Sequence, residues 1–460
     1  MFAALFIKMA NTTAHSDLRL RITNRQILGM ALPISFGILV PQLNFITNNI
    51  FLGRLSEQAL ATAAITGVYY LIFGAIGFGL NNGLQALISR RAGENRPEEI
   101  GKLFIQGVGI ALLVAVAGIV LTYTVAPFVL QYSIHEAALR EQAVSFLKIR
   151  IWGLPFLYIY QMRNALLVGT NQSRYLVAGT VAEAVSNVLL DYGLIFGHFG
   201  LPQMGFNGAA IASIIAEFMG MTVVFAVIHY KGISKRFSLF SKLRYDAANA
   251  KLILVQSSPL ILQNAISITS WEFFYILIEH HGARDLSVSN AMRNLFGLFG
   301  MFSWALAATC NTMVSNIIGQ GMHHRVLFLI KKIVIISTGI AVTICLLLNL
   351  FPHAFLAIYG QSEDWVQHAI PVLRVVSLAL VMMSFATVWI SGVTGTGNST
   401  VNLRIEAVTL IAYILYVWLA LEVMNASIVV GWMSEWVYWA FIFTQSYWYL
   451  RSGRWKNKVI

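Results

Sequence analysis

The feature that most constrains this chain is a row of apolar stretches, each about 20 residues or longer. Gly, Pro, Asn and short basic runs separate them. A bilayer's hydrocarbon core is roughly 30 Å thick and a helix rises about 1.5 Å per residue, so each stretch is long enough to cross it. They fall at 27–52, 59–88, 103–131, 144–169, 173–197 and 205–230. After a polar interval come 252–281, 285–318, 326–352, 366–392, 400–423 and 426–450. The reading is an all-α integral membrane protein of about 12 transmembrane helices.

Composition agrees. Of 460 residues, 58% are hydrophobic and only 11% are charged, with a mean hydropathy of +0.71. A soluble chain needs about 25% charged residues to face water. A soluble enzyme, a disordered protein and a nucleic-acid-binding module are therefore excluded, despite a net charge of +12. Cys310 and Cys345 both sit in apolar runs, so neither a disulfide framework nor a metal site is expected. The opening "MFAALFIKM" is too short for a signal-peptide core and has no basic residue ahead of it. Met9 is an alternative start, and the first spanning helix acts as its own insertion signal.

The charge is concentrated in alternate loops. Of the 31 Lys and Arg, only Arg54, Arg140 and Arg284 lie in one set of loops, while Lys148, Arg150, Arg163, Arg293 and Arg374 fall within helices. All the others lie in the opposite set of loops and at the two termini. The positive-inside rule then places both termini in the cytoplasm.

An internal repeat follows. Sliding the chain by 226 residues lays Pro33 on Pro259, Gly93 on Gly319, and "GTNQS" (169–173) on "GTGNS" (395–399). Six helices per half preserve orientation, giving two parallel six-helix repeats about an axis along the membrane normal. The expected organisation is a cytoplasmic N-terminal segment 1–26, an N-terminal lobe 27–230, a basic cytoplasmic linker 231–251, a C-terminal lobe 252–450 and a cytoplasmic tail 451–460. Duplicated bundles meeting at a seam suit alternating access and point to a transporter. A membrane-embedded enzyme would need a reactive cluster at membrane depth, whereas His135, His353 and His368 fall at loops or helix ends.

An ionisable side chain in the bilayer costs roughly 2.5–3.5 kcal/mol or more, so each marks a candidate site. On the fifth helix Glu183, Asn187 and Asp191 are spaced i, i+4, i+8 and share one face. That face can bind Na⁺ through its oxygens, carry a proton, or glue helices together. Ser213 and Glu217 are spaced i, i+4 on the sixth helix. Asn44, Asn48 and Asn49 lie near the outer end of the first. Glu272 and Arg293, at similar depth on the seventh and eighth, are expected to form a buried ion pair, as a static bridge, a gate or a substrate contact. Glu435 stands alone on the twelfth.

Four runs resemble the multidrug and toxic compound extrusion (MATE) family over essentially the whole chain. They are "LPISFGILVPQLNFITNNIFLGRLSEQALATAAI" (32–65), "GFGLNNGLQALISRRAGENRPEE" (77–99), "LLVGTNQSRY" (166–175) and "VSNVLLDYGLIFGHFGLPQMGFNGAAIAS" (185–213). The resemblance implies a MATE-like bundle of two lobes across a V-shaped cavity in a bacterial inner membrane. It implies a secondary antiporter, acting as a monomer, that exports organic small molecules in exchange for H⁺ or Na⁺, with no cofactor and no nucleic-acid partner. The family's N-lobe cation site matches Asn187 and Asp191, with Ser213 where Thr is common. Where family members often carry an Asp, five residues before the Gly of "GRL", this chain has Asn48. Glu183 is left as the other carboxylate on that face, and any Na⁺ is expected at Asp191 and Asn187. Glu272 resembles the seventh-helix carboxylate of the sodium-coupled branch. The tenth helix offers it no acidic partner, and Arg293 is the charge available to it. The alternative is a lipid-linked-oligosaccharide flippase of the same superfamily, for which Arg163, Arg293 and Arg374 would make the cavity cationic.

Overall fold

The computed structural model describes residues 18–133, 137–239 and 244–458. Lys8 and the alternative start Met9 lie outside the described residues, as do His135, the linker residues 240–243 and the last two residues of the tail. Twelve long helices account for most of the described chain. The first six are α1 (Asn24–Leu55), α2 (Glu57–Gly93), α3 (Pro97–Thr124), α4 (Ala137–Gly169), α5 (Leu176–Phe196) and α6 (Phe206–Tyr230). The second six are α7 (Ala247–Glu279), α8 (Ala283–Gly319), α9 (Val326–Leu350), α10 (Glu363–Gly395), α11 (Ser399–Trp418) and α12 (Ser434–Ser452).

Ten of these are long and apolar enough to cross a membrane by length and composition. The other two are α5, which carries Glu183, Asn187 and Asp191, and α12, whose apolar content is largely Trp and Tyr. Leu113 and Ile335, each 72% exposed, and Ile411 at 69% show that the outer faces are apolar, as a lipid-facing surface requires.

Local chemistry sets the ends. Ser56 closes α1 and opens α2, its hydroxyl accepting from the Ala59 amide. Thr23, Asp246 and Ser362 cap α1, α7 and α10 in the same way. Three of the expected spans are broken. The stretch 103–131 stops at Thr124 and restarts as a short helix, Ala126–Ser133. The helix α4 contains a tight turn at Ile151–Gly153, next to Pro155, whose missing N–H interrupts the helical ladder. The last stretch likewise splits into Ile428–Trp432 and α12.

The 226-residue offset holds at the level of the backbone. Adding it to the ends of α2 gives the ends of α8, and adding it to α4 gives α10. Asn95 and Gly321 occupy equivalent left-handed positions (φ 59° and 79°), as do Asn171 and Gly397 (63° and 88°). Gly and Asn are the residues that adopt that conformation at least cost. The serines of the matched loop motifs serve matched roles: Ser173 donates to the Met30 carbonyl of α1, and Ser399 to the Val255 carbonyl of α7. In α7 that carbonyl is one that Pro259 leaves without a helical donor.

The two halves meet in a seam with the same symmetry. Ser89 Oγ donates to the Thr312 carbonyl and Ser315 Oγ to the Ala86 carbonyl, both at 2.6 Å. Gln85 Nε2 donates to the Ala308 carbonyl at 3.0 Å, and Asn311 Nδ2 to the Asn82 carbonyl at 3.2 Å. Each pair exchanges under the 226 offset, so a pseudo-twofold axis runs between α2 and α8. At the end of this seam Gly93 and Gly319 lie against each other. A Cβ on Gly93 would overlap the Asn316 carbonyl, and one on Gly319 the Arg90 carbonyl.

Residues 90 and 316 break the symmetry. Arg90 donates to the carbonyls of Gly395 and Thr396. Asn316 instead brackets the segment ahead of α1: its Nδ2 donates to the Leu18 carbonyl and its Oδ1 accepts from the Leu20 amide. Gln320 donates to the Leu20 carbonyl, so the N-terminal segment is strapped across the seam onto α8. These contacts all gather at the basic end of the bundle. Among the described residues no inter-lobe hydrogen bond forms toward the opposite end, where Val68, Leu71 and Ile72 of α2 are exposed.

Candidate functional site

The i, i+4 spacing on α5 brings two of its three polar residues together, inside the N-terminal lobe. Asp191 is fully buried and Asn187 nearly so. Asn48, from the C-terminal half of α1, packs between them. With its amide nitrogen turned inward, Asn48 donates to Asp191 Oδ2, to Asn187 Oδ1 at 3.0 Å, and to the Asn44 carbonyl at 3.2 Å. Turned the other way, the amide presents an oxygen to the same place, which suits a protonated Asp191. Asp191 Oδ1 has no hydrogen-bond partner. The cluster thus holds one carboxylate and two neutral amides.

The other N-lobe residues singled out from sequence lie elsewhere. Ser213 is half-buried on α6 and no hydrogen bond draws it into the cluster. Glu183 is half-buried, faces Gly220 of α6, and lies within the field of Arg150 and Arg163 rather than beside Asp191. A helix face that is continuous in projection here meets two different neighbours. Asp191 meets α1 at one level and Glu183 meets α6 at another.

Glu217 is bound. Arg150 Nη1 donates to Glu217 Oε2 at 3.1 Å and Nη2 to Oε1 at 2.5 Å, and the guanidinium stacks on Tyr70 at 3.9 Å from the ring centroid. Gly153 makes room for the pair, since a Cβ there would overlap both partners. The break in α4 beside Pro155 therefore has a use: it lets Arg150 reach across to α6. Removing one partner from a buried pair leaves an uncompensated charge, at a cost of roughly 3–5 kcal/mol. Glu217→Ala is accordingly expected to lower the melting temperature of the purified protein sharply, with Arg150→Met/Glu217→Leu restoring most of the loss. Equal melting of the single and double variants would contradict a paired role.

The C-terminal lobe differs from expectation in two respects. The anticipated Glu272–Arg293 ion pair is not formed; Arg293 instead stacks on Tyr275, 5.1 Å from the ring centroid. Tyr275 stands one turn beyond Glu272 on α7 and offers its π face to the guanidinium, which satisfies the cation without the carboxylate. Second, a carboxylate not singled out from sequence occupies the lobe's interior. Glu406 of α11 is 1% exposed. It meets Ser267 Oγ at 2.5 Å, Tyr438 OH at 2.6 Å and Gln263 Nε2 at 3.2 Å, from α7 and α12. Its equivalent in the first half is Thr180, so the repeat gave no hint of it. The available signal was a lone acid within an apolar helix, facing an i, i+4 pair of polar residues on α7. Glu435 is also buried and accepts from Trp439 Nε1 at 3.0 Å.

Of the three arginines that would make a cavity cationic, Arg163 is fully buried within the N-lobe. It donates to the Gly220 carbonyl and stacks on Tyr160. Arg293 is engaged with Tyr275, and Arg374 is exposed.

Two six-helix lobes about a pseudo-twofold axis, apolar outside and carrying carboxylates within, define a multi-pass membrane transporter. The MatE family model matches residues 33–193 and 259–419, two segments that differ by the same 226 residues. The chain belongs to the MatE family, whose members are transporters and not enzymes. A probable multidrug resistance protein NorM from Thermotoga maritima is 21% identical over 95% of this chain and 94% of its own. A protein of the same description from Synechocystis is 23% identical over 74% of each chain. Among solved structures, a MOP superfamily transporter from Pyrococcus furiosus superposes with a TM-score of 0.86 at 15% identity, covering 96% of this chain and 98% of that one. A mutant of the Vibrio cholerae MATE transporter VcmN superposes at 0.85 with 19% identity, covering 94% and 98%. These likenesses show the same fold.

Proposed function

We propose that this protein is a proton-coupled antiporter that exports organic small molecules of the drug or toxin kind from the cytoplasm, as a monomer in the cell's inner membrane. The names of its NorM relatives support the substrate class. The observation that carries the coupling is Asp191: a fully buried carboxylate whose partners are the neutral amide of Asn48 and nothing on Oδ1. One carboxylate with amide neighbours suits a proton better than Na⁺, which prefers several oxygen ligands. Asn48 serves either protonation state by turning its amide, while Asn187 holds that amide in place. Glu183 and Ser213 stand outside this proton site in the reading.

The basic loops and termini are placed in the cytoplasm by the positive-inside rule. The seam of α2 and α8 then closes the cytoplasmic side, and the described conformation is the outward-open one. On this reading residues 27–230 and 252–450 move as the two lobes, 231–251 links them in the cytoplasm, and 1–26 and 451–460 flank them there. Glu272 and Arg293 face the opened side as substrate contacts. Protonation of Asp191 from outside favours one lobe arrangement, releasing the substrate. One cation moving inward through about 150 mV supplies roughly 3.5 kcal/mol, enough for a several-hundred-fold gradient of a neutral substrate.

The test is accumulation of a fluorescent organic cation in proteoliposomes oriented to report export. Accumulation is expected under an imposed proton gradient and absent under a sodium gradient alone. Accumulation driven by sodium alone would reverse the choice of ion. Indifference to both would overturn antiport of that substrate.

A further inference from the structure

Glu406 lies in the opposite lobe from Asp191, and its surroundings are built differently. Ser267 has one hydroxyl proton and two acceptors in reach, Glu406 Oε1 at 2.5 Å and the Gln263 carbonyl one turn back on α7 at 2.9 Å. With Glu406 ionised, Ser267, Tyr438 and Gln263 Nε2 all donate to the carboxylate, three donors for one charge. With Glu406 neutral, its own O–H donates to Ser267 Oγ, and the Ser267 hydroxyl turns to the Gln263 carbonyl. Tyr438 and Gln263 Nε2 still have a carboxyl oxygen to meet. Turning one hydroxyl therefore keeps every group hydrogen-bonded in both states. A purely structural carboxylate has no need of such a rotor, and buried polar groups that lose a partner are costly.

The neighbourhood leaves the proton as the adjustable charge. On α7 the charged groups are Lys251 and Glu279 at its two ends and Glu272, five residues beyond Ser267. On α12 the acid is Glu435, one turn before Tyr438, and Glu435 is taken up by Trp439. On α11 itself Arg404 is exposed, Tyr413 is buried, and Glu422 beyond its end pairs with His280. From α10 the contact is between Asn402 and Thr394, both uncharged. Among the described residues no cation forms an ion pair with Glu406. The same oxygens and hydroxyls lie at hydrogen-bonding separations from one another, which suits a proton shared among them rather than a metal ion held between them.

We propose that Glu406 is a second proton-binding site, in the C-terminal lobe, with Ser267 as the hydroxyl that reorients when the proton binds or leaves. Its carboxyl O–H bond forms and breaks by exchange with water; the Ser267–Glu406 hydrogen bond tying α7 to α11 reverses direction, and those from Gln263 and Tyr438 are kept. The transport consequence rests on the antiport reading above; the binding itself does not.

The experiment uses the full chain purified in detergent. Infrared difference spectra between acid and alkaline buffer are recorded for wild type, Glu406→Gln and Asp191→Asn. Each variant is expected to remove a separate component of the protonated-carboxyl band. A Glu406→Gln spectrum whose carboxyl band equals that of wild type would overturn the proposal, whatever the transport assays show. Should Glu406→Gln fail to fold, Ser267→Ala is expected to shift the Glu406 component by removing its acceptor; an unshifted band would be equally damaging. In proteoliposomes, losing one of two coupled protons should lower the substrate accumulation ratio about tenfold per imposed pH unit. A merely structural Glu406 would lower thermal stability and leave that ratio alone. If wild type accumulates nothing under a proton gradient, the antiport reading fails while the infrared result still decides the site.

Discussion

Asp191→Asn is expected to lower proton-driven export sharply while leaving the protein folded. Asn is nearly isosteric with Asp, and its amide oxygen still accepts from Asn48, so the packing of α5 against α1 survives. What is lost is the only titratable atom in the cluster. The accumulation ratio reached under an imposed pH gradient should fall by about tenfold per pH unit, the contribution of one proton. Facilitated exchange of substrate on both sides should persist, because the lobes and seam are intact. Asn187→Ala is expected to have a milder effect, since it removes a support of the Asn48 amide rather than the proton carrier. The measurement is accumulation of the fluorescent cation with purified variants at matched reconstitution. Undiminished accumulation by Asp191→Asn would transfer the coupling to another carboxyl, with Glu406 the first to examine.

The second large effect is expected at the seam. Gly319→Val and Gly93→Val each place a branched side chain where the opposing backbone carbonyl stands, Arg90 in one case and Asn316 in the other. Backbone cannot swing aside as a flexible side chain can, so closure at this end becomes strained. Overpacking of this kind typically costs about 1–3 kcal/mol, which shifts the population of the closed seam by roughly 5–150-fold. The two variants should behave alike, because the residues are equivalent under the pseudo-twofold. Labelling of Ser315→Cys in a background without Cys310 and Cys345 reports the change: the thiol is buried in the closed seam and should become reactive when either valine is present. Labelling no faster than with both glycines retained would show that the seam tolerates the insertion. Asn316→Ala, which frees the strap at Leu18 and Leu20, should produce the same increase to a smaller degree.

Much of this organisation was legible in the chain itself. Apolar stretches of membrane-spanning length gave the helices, and the 226-residue offset gave two parallel lobes. The matched motifs at 169–173 and 395–399 proved to be matched loops, because a left-handed residue and a serine bond to the first helix of the lobe recur at the same positions in each. Asn187 and Asp191 were found because an i, i+4 spacing on a single helix fixes a shared face whatever surrounds it. The tightness of the seam was not legible. Gly93 and Gly319 were seen as aligned landmarks, but that they touch follows from the position of the axis.

The sequence by itself determined what each helix is: its length, its apolar face, its caps and its counterpart in the other half. These depend on neighbours a few residues away along the chain. Only the tertiary structure decided which polar groups meet. Asn48 joined Asp191 from another helix, and Glu183 and Ser213 remained apart from it. Arg150 took Glu217 through the gap at Gly153, Arg293 turned to Tyr275 in place of Glu272, and Glu406 gathered donors from α7 and α12. The physical reason is that helix rotation and level are set by packing summed over whole interfaces, and a polar side chain a few ångströms long reads out that sum at one point.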